Sequence, residues 1–153
     1  MPDNQTGQGR VAPWYLWAVG GLAILWNGFG TVLWGGTSFM PDTFLDGLPA
    51  AHRDYVSGLP VWSTLTWGLG VLGGAVGSIL LLLRNPLAVP AFALSLFGAV
   101  ANTMVYVTNP PPDGFFNLPL TLFIIGFALF LFWFAHLMKR RGVLRGGTGA
   151  ESS

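Results

Sequence analysis

Four long apolar blocks constrain what this chain can fold into more than any other feature of its sequence. They run from about residue 14 to 35, 61 to 83, 87 to 108 and 118 to 138, and none contains Asp, Glu, Lys or Arg. An α-helix rises 1.5 Å per residue, so roughly twenty residues cross the hydrocarbon core of a bilayer, which is about 30 Å thick. The sequence therefore predicts an all-α membrane protein, an up-down bundle of four transmembrane helices.

The composition favours lipid over water as the surrounding solvent. Only 8% of the 153 residues are charged, whereas a soluble domain is typically about 25% charged. The net charge of +1 leaves no basic face for nucleic acid. Cysteine is absent, which excludes disulfides and thiolate metal sites. The lipid bilayer is thus the first predicted partner.

The sequence divides into three parts: a transmembrane domain, predicted at 13–138, and one tail on each side of it. Residues 1–12 are polar and glycine-rich and are predicted to form a disordered cytoplasmic tail, and 139–153 a basic, flexible cytoplasmic tail. The connection 36–60 is the one substantial external loop. Within it, the segment 49–56 is predicted to form a short helix, and the apolar residues around it suggest that it either lies on the membrane surface or caps the bundle.

The basic residues predict the orientation of the bundle. If both termini are cytoplasmic, six of the seven Lys and Arg residues lie inside and only Arg53 lies outside. Loops rich in Lys and Arg stay on the cytoplasmic side. We therefore expect both termini inside and the 36–60 loop outside.

Small residues recur at four-residue spacing on two neighbouring helices. The second helix contributes Gly70, Gly73, Gly74 and Gly77, and the third contributes Ala91, Ser95 and Ala99. Glycine allows two helix backbones to approach closely, which drives helix association in lipid. The pattern predicts a packing seam inside one bundle, which we favour over a seam between two copies.

Asn27 and Asn102 are the most polar residues within the predicted spans. The outer half of the bundle also holds Thr31, Thr64, Thr66 and Tyr106. These side chains either line a polar cavity open to the outside or form interhelical hydrogen bonds, each worth about 1 kcal/mol. We favour the hydrogen bonds. Charged residues mark proton relays in membranes, and their absence from the spans argues against a proton-coupled transporter.

Nothing in the sequence indicates catalysis, a metal or a cofactor. His52, Arg53 and Asp54 form the only local cluster of ionisable groups, and without a second contributing segment we interpret it as a solvated loop. The two histidines lie on opposite sides of the predicted membrane, so they cannot share a metal ion. We predict that the protein is not an enzyme.

Four segments carry a resemblance to a known family. They are Leu25-Trp26-Asn27-Gly28 with Gly30, Pro60-Val61-Trp62, Gly73-Gly74-Ala75-Val76-Gly77-Ser78 running to Leu83-Arg84, and Ser95-Leu96-Phe97-Gly98. Together they resemble a family of small bacterial four-helix membrane proteins that are often labelled sugar transporters. The resemblance covers the first three helices and the outer loop. It implies a bacterial cytoplasmic (inner) membrane and supplies no established catalytic residues.

Two functions remain open at this stage. The first is a structural or interaction protein that packs against itself or against a larger membrane partner. The second is passage of a small neutral solute. Because a lone four-helix bundle fills its core with side chains, passage would need an oligomer or a cavity where Asn27 and Asn102 meet. We favour the first.

Overall fold

The computed structural model describes residues 11–145, a range in which the regular secondary structure is entirely helical. The helices are α1 (Trp14–Phe39), α2 (Pro41–Leu45), α3 (Ala50–Ser57), α4 (Val61–Leu82), α5 (Ala88–Thr108) and α6 (Leu118–Arg140). Four of them, α1, α4, α5 and α6, are long and apolar enough to cross a membrane. The predicted all-α fold with four spans is confirmed. The side on which the termini lie stays a prediction.

Prolines and one asparagine set where the spanning helices begin. Pro13 and Pro60 precede α1 and α4 in an extended conformation. Proline suits a helix start, because the N–H group that it lacks would have no partner within the helix there. At α6, the Asn117 side chain accepts a hydrogen bond from the Leu120 N–H at 2.9 Å. This cap satisfies one of the free donors of the first turn.

The spanning helices contact one another in chain order: α1 packs on α4, α4 on α5, and α5 on α6. The α4–α5 turn is tight, with Arg84 in the left-handed region (φ 58°) and the Asn85 N–H donating to the Leu80 carbonyl at 2.8 Å. By contrast, α1 and α6 meet mainly through aromatic side chains. The bundle is therefore closely packed along three of its four sides and loose along the fourth.

Backbone-to-backbone contact joins α4 and α5. A Cβ atom on Gly98 would lie 2.5 Å from the Gly70 nitrogen and 2.8 Å from the Thr66 carbonyl oxygen, so only glycine fits there. A Cβ on Gly73 would lie 3.0 Å from the Ser95 nitrogen. The Ser95 hydroxyl donates across the same contact to the Gly70 carbonyl at 2.6 Å. The α4–α5 contact thus combines close packing with an interhelical hydrogen bond.

The predicted packing seam implied that all four of these α4 glycines face the backbone of α5, but only two of them do. Gly70 and Gly73 lie against the α5 backbone, near Ala99 and Ala91 respectively. Gly74 instead lies against the Asn27 side chain of α1, and Gly77 faces the ring of Phe92. Successive helical residues differ by about 100° in direction, so neighbouring glycines serve different partners.

The densest side-chain core lies at one end of the bundle. Its buried members are Leu16, Ala23, Leu81, Ala88, Phe92, Leu131, Phe134, Ala135, Met138, Val143 and Leu144. They come from the beginning of α1, the end of α4, the beginning of α5 and the end of α6, together with the residues after α6. This is the end predicted to be cytoplasmic, and we call it the inner half.

The chain after α6 is packed against the bundle, whereas a flexible tail was predicted from residue 139. The helix continues to Arg140, and Val143 and Leu144 are 4% and 5% exposed. The Arg84 Nε donates to the Val143 carbonyl at 3.0 Å, and the Arg145 N–H donates to the Arg84 carbonyl at 2.7 Å. The rest of that predicted tail, like residues 1–10, lies outside the described range.

The segment 41–59, which we call the cap, covers the other end of the bundle. It holds two short helices, α2 and α3, where one was predicted. The Tyr55 hydroxyl donates to the Asn109 carbonyl at 2.7 Å, and a ring nitrogen of His52 lies 3.2 Å from the Asp113 carbonyl oxygen. Both rings also pack on Phe115. The cap is therefore tied to the α5–α6 loop.

Candidate binding cavity

A cavity of about 750 Å³ lies between the four spanning helices beneath the cap. All four helices and the cap contribute to its wall. The deepest lining residues include Ala128 and Leu131 of α6. Small-molecule sites in proteins typically measure about 300–1,000 Å³, so this volume could hold a small organic molecule.

The wall is largely apolar and uncharged. Among the described residues, no Asp, Glu, Lys, Arg or His side chain lines the cavity. A charged group placed there would lose its hydration without gaining a countercharge, which is strongly unfavourable. The cavity therefore suits neutral molecules.

Four polar side chains face one another across the α4–α5 side of the cavity, and we call them the polar cluster. They are Ser63 and Trp67 on α4, and Asn102 and Tyr106 on α5. Each pair is separated by four residues, a spacing that puts both members on one helix face.

Most of the hydrogen-bonding capacity of the polar cluster is unused by the protein. The side-chain oxygen of Asn102 accepts a hydrogen bond from the Thr66 hydroxyl at 3.4 Å. Within residues 11–145, the Asn102 amide nitrogen, the Ser63 and Tyr106 hydroxyls and the Trp67 indole nitrogen have no hydrogen-bond partner. Ser63 is only 5% exposed, and its hydroxyl is not sealed from open space. These groups are available to a bound molecule.

Asn27 lies deeper and is engaged differently from the prediction. Its amide nitrogen donates to the Ala23 carbonyl of its own helix at 2.9 Å, and its side-chain oxygen lies against Gly74. No hydrogen bond joins it to Asn102 among the described residues. The two amides therefore do not tie α1 to α5, although both line the cavity.

The three predicted threonines lie outside the cavity wall. The Thr31 hydroxyl donates to the Asn27 carbonyl at 2.8 Å, and the Thr66 hydroxyl lies 3.1 Å from the Ser63 carbonyl. The Thr64 carbonyl accepts from the Trp34 indole N–H at 2.9 Å. Threonine often bonds a carbonyl of the preceding turn in this way. The structure thus brings Asn27, Asn102 and Tyr106 to one cavity and leaves the threonines behind it.

Sequence reasoning did not identify Ser63 and Trp67 as site residues. A signal was present, because residues 63, 67, 70 and 74 follow one stripe of α4 at spacings of four, three and four. The two glycines of this stripe, Gly70 and Gly74, make close contacts with α5 and α1 respectively. The part nearer the cap carries polar side chains and faces open volume.

The cap closes the cavity on the side of the α5–α6 loop. Phe44 and Leu48 of the cap line the cavity together with Phe115 of that loop. The pKa of Tyr55 is raised by burial and by the nearby Tyr106 phenol. Tyr55 therefore keeps its proton at neutral pH and continues to donate to Asn109, holding the cap in place.

The wall is thinnest between α1 and α6. Trp26 spans this gap, with its ring centroid 5.2 Å from that of Phe123 and 6.0 Å from that of Phe127. The lining residues that are exposed on the molecular surface all belong to these two helices: Phe29, Leu33, Leu120 and Ile124. The cavity therefore reaches the outer surface of the bundle between α1 and α6.

Within the described part of the chain, the charged and metal-binding side chains lie apart from the cavity. No three His, Cys, Asp or Glu residues among them lie close enough to share a metal ion. A smaller hollow of about 280 Å³ on the cap surface holds Asp42, Asp46 and Arg53. His52 lies elsewhere on the cap, beside the Asp113 carbonyl, so the ionisable loop residues do not converge on the cavity.

Comparisons with protein-family models, with curated proteins and with solved structures find no match for this chain.

Proposed function

We propose that this integral membrane protein binds a neutral, predominantly apolar molecule in the cavity beneath its cap. The observation that carries the proposal is an uncharged, largely apolar cavity of about 750 Å³ in which the polar cluster offers unused hydrogen-bonding groups. We place the protein in a bacterial cytoplasmic membrane with both termini inside, from its basic residues and its resemblance to the bacterial family. Binding without catalysis is the proposed activity.

A four-helix bundle with a purely structural role would be more stable if side chains filled this cavity. Four-helix bundles normally pack their cores with side chains, and an empty cavity forgoes dispersion contacts along its whole wall. Unpaired polar groups in apolar surroundings weaken the fold further. Both costs are offset when a molecule occupies the cavity and bonds the polar cluster. Association with a second copy or with a larger membrane partner stays a prediction from the sequence.

Passage of a solute across the membrane has less support. The inner half is filled by the side-chain core, with Leu16, Phe92 and Met138 fully or almost fully buried. A solute in the cavity would therefore meet packed side chains rather than a path. A sugar would also need a bonding partner for each of several hydroxyls, and the wall is mostly apolar.

Saturable binding of a neutral apolar probe tests the proposal. The full chain is placed in nanodiscs of phosphatidylcholine, and retinol, a neutral polyene alcohol, is titrated while energy transfer from protein tryptophan is recorded. Ala128 lines the cavity and is buried, so Ala128→Phe would fill ligand space. Ala18→Phe is the matched control, because Ala18 is exposed on α1 away from the cavity.

We expect wild type and Ala18→Phe to bind retinol saturably with equal affinity. Ala128→Phe should bind at least about tenfold more weakly, which corresponds to about 1.4 kcal/mol. The carboxylate analogue retinoic acid should also bind more weakly, because the wall has no cation to pair with it. Equal binding by a folded Ala128→Phe protein, or transfer that never saturates, would refute the proposal.

A further inference from the structure

We infer that the bound molecule is a membrane lipid with a hydrocarbon chain and a neutral, oxygen-bearing head, which reaches the cavity sideways between α1 and α6. The inference rests on the proposed function and adds the class of ligand and its route. Four observations support it: the closed ends of the cavity, the loose side of the bundle, the position of the polar cluster and the chemistry of its groups.

Both ends of the cavity that face water are closed. The inner end meets the buried core, which the residues after α6 extend with Val143 and Leu144. The outer end lies under the cap, which two hydrogen-bonding contacts and the Phe115 ring hold to the α5–α6 loop. A molecule arriving from either aqueous side would have to displace packed side chains.

The side facing the bilayer is open by comparison. Phe29 on α1 is 63% exposed and Leu120 on α6 is 48% exposed, yet both also line the cavity. The other three neighbouring helix pairs of the bundle pack closely along their lengths, whereas this pair is joined by the rings of Trp26, Phe123 and Phe127. Side-chain rotation can therefore widen this gap while the helix backbones stay in place.

The polar cluster lies in the capped half of the bundle, on the side where the heads of one leaflet would lie. Ser63 is the third residue of α4, and Tyr106 is the third residue from the end of α5, so both lie near the capped ends of their helices. Towards the bundle centre the wall is lined by Ala128 and Leu131, and the donors of the two polar side chains there, Asn27 and Ser95, are already bonded to backbone carbonyls. A lipid in the same leaflet has the same order, a polar head at the interface and a chain towards the midplane.

The groups of the polar cluster select a neutral head that accepts hydrogen bonds. An indole N–H and an amide NH₂ can only donate, and a phenol or a serine hydroxyl donates readily. They suit a carbonyl or hydroxyl oxygen. Within residues 11–145, no lysine or arginine lines the cavity to hold a phosphate. The ligand class is therefore an uncharged lipid such as a long-chain or isoprenoid alcohol, ester or quinone.

Linking α1 to α6 tests the route. The chain has no cysteine of its own, so Trp26→Cys with Phe123→Cys introduces the only thiols, on side chains that face each other. A short, reducible bis-thiosulfonate reagent then joins the two helices. The matched control, Tyr55→Cys with Asn109→Cys, links the cap to the α5–α6 loop at another close contact. Transfer of bound retinol to acceptor vesicles is timed before linking, after linking and after reduction.

We expect the α1–α6 link to slow retinol transfer at least about tenfold, equivalent to about 1.4 kcal/mol in the barrier, and reduction to restore the rate. The cap link should leave the rate unchanged. Slower transfer with the cap link alone would overturn the lateral route. If the wild type binds no retinol, the proposed function fails. If it binds but the α1–α6 link has no effect, only the route fails.

Two further measurements keep the inference testable if the double-cysteine proteins do not fold. Phe123→Ala removes one ring from the gap and should speed transfer, and an unchanged rate would contradict the route. A long-chain alcohol with a photoreactive diazirine tests the orientation. With the diazirine near the hydroxyl it should label α5 around Asn102, and at the chain end it should label α6 around Ala128. The reverse pattern would contradict the assigned position of the head.

Discussion

Gly98 gives the sharpest test of how the bundle is held together. In Gly98→Ala the new Cβ would lie 2.5 Å from the Gly70 nitrogen and 2.9 Å from its Cα, whereas carbon atoms pack comfortably at about 3.5–4.0 Å. Both neighbours are backbone atoms and cannot rotate away. The two helices must therefore separate by about 1 Å at this point.

The expected loss of stability follows from two terms. Overpacking in a closely packed contact costs about 1–3 kcal/mol. Separation also stretches the bond between the Ser95 hydroxyl and the Gly70 carbonyl, now 2.6 Å, and such a bond in a membrane protein is worth about 0.6–1.7 kcal/mol. Together they predict that Gly98→Ala lowers the free energy of unfolding by about 2–4 kcal/mol.

A graded series makes the test independent of any single value. A Cβ on Gly73 would meet the Ser95 nitrogen at 3.0 Å, a Cβ on Gly70 would meet the Ala99 nitrogen at 3.4 Å, and a Cβ on Gly126 would meet nothing within 4 Å. Alanine at these positions should therefore destabilise in the order 98, 73, 70. Gly126→Ala is the control and should be neutral or slightly stabilising, because alanine favours a helix by up to about 1 kcal/mol over glycine.

Reversible unfolding in mixed micelles of mild detergent and dodecyl sulfate measures these differences, with far-ultraviolet circular dichroism as the readout of helix content. Equal stability of Gly98→Ala and Gly126→Ala would refute the backbone contact between α4 and α5. A reversed order along the series would refute the geometry of the seam even if the individual effects were large.

Three further predictions concern orientation, the buried amides and the end of the chain. Reporters fused to either terminus should read as cytoplasmic and one inserted at Gly47 as external, and an external terminus would contradict the charge argument. The effects of Asn27→Leu and Asn102→Leu on the free energy of unfolding should add within about 0.5 kcal/mol, because the two asparagine side chains share no hydrogen bond. Strong coupling in a double-mutant cycle would contradict this. Leu144→Ala should lower the free energy of unfolding by about 2–3 kcal/mol in the same assay. Val11→Ala, at a side chain that is 90% exposed, should have no effect. Equal effects would contradict the packing of the residues after α6 against the bundle.

The number and approximate positions of the spans could be predicted because hydropathy is a local property summed along the chain. The end of α1 could not be predicted in the same way. It continues to Phe39, beyond the predicted end near residue 35, and the ring of Phe44 packs against Gly36, which was placed in the external loop. Similarly, four-residue spacing identified the glycines of α4, but only the rotation of the helix decides that Gly74 faces α1 rather than α5.

The candidate site was less accessible to sequence reasoning because its defining features are tertiary. The prediction noted the polarity of Asn27 and Asn102, but the hydrogen bond from Asn27 to its own helix depends on a rotamer. The availability of Ser63 and Trp67 depends on which groups lie opposite them. A cavity is a volume that no residue type encodes, since it arises where four helices diverge.

The separation between a packed inner half and a hollow capped half has a consequence for how this fold can change over generations. Its tightest helix contact is the one between α4 and α5, and its buried side-chain cluster is the inner core. Residues such as Ile125 and Thr121 line the cavity in the capped half, so we expect substitutions there to alter the shape of the cavity with less effect on folding than substitutions in those two regions. Under the proposed function, single substitutions at such positions would change which molecule binds, while the glycine contacts and the inner core stay intact.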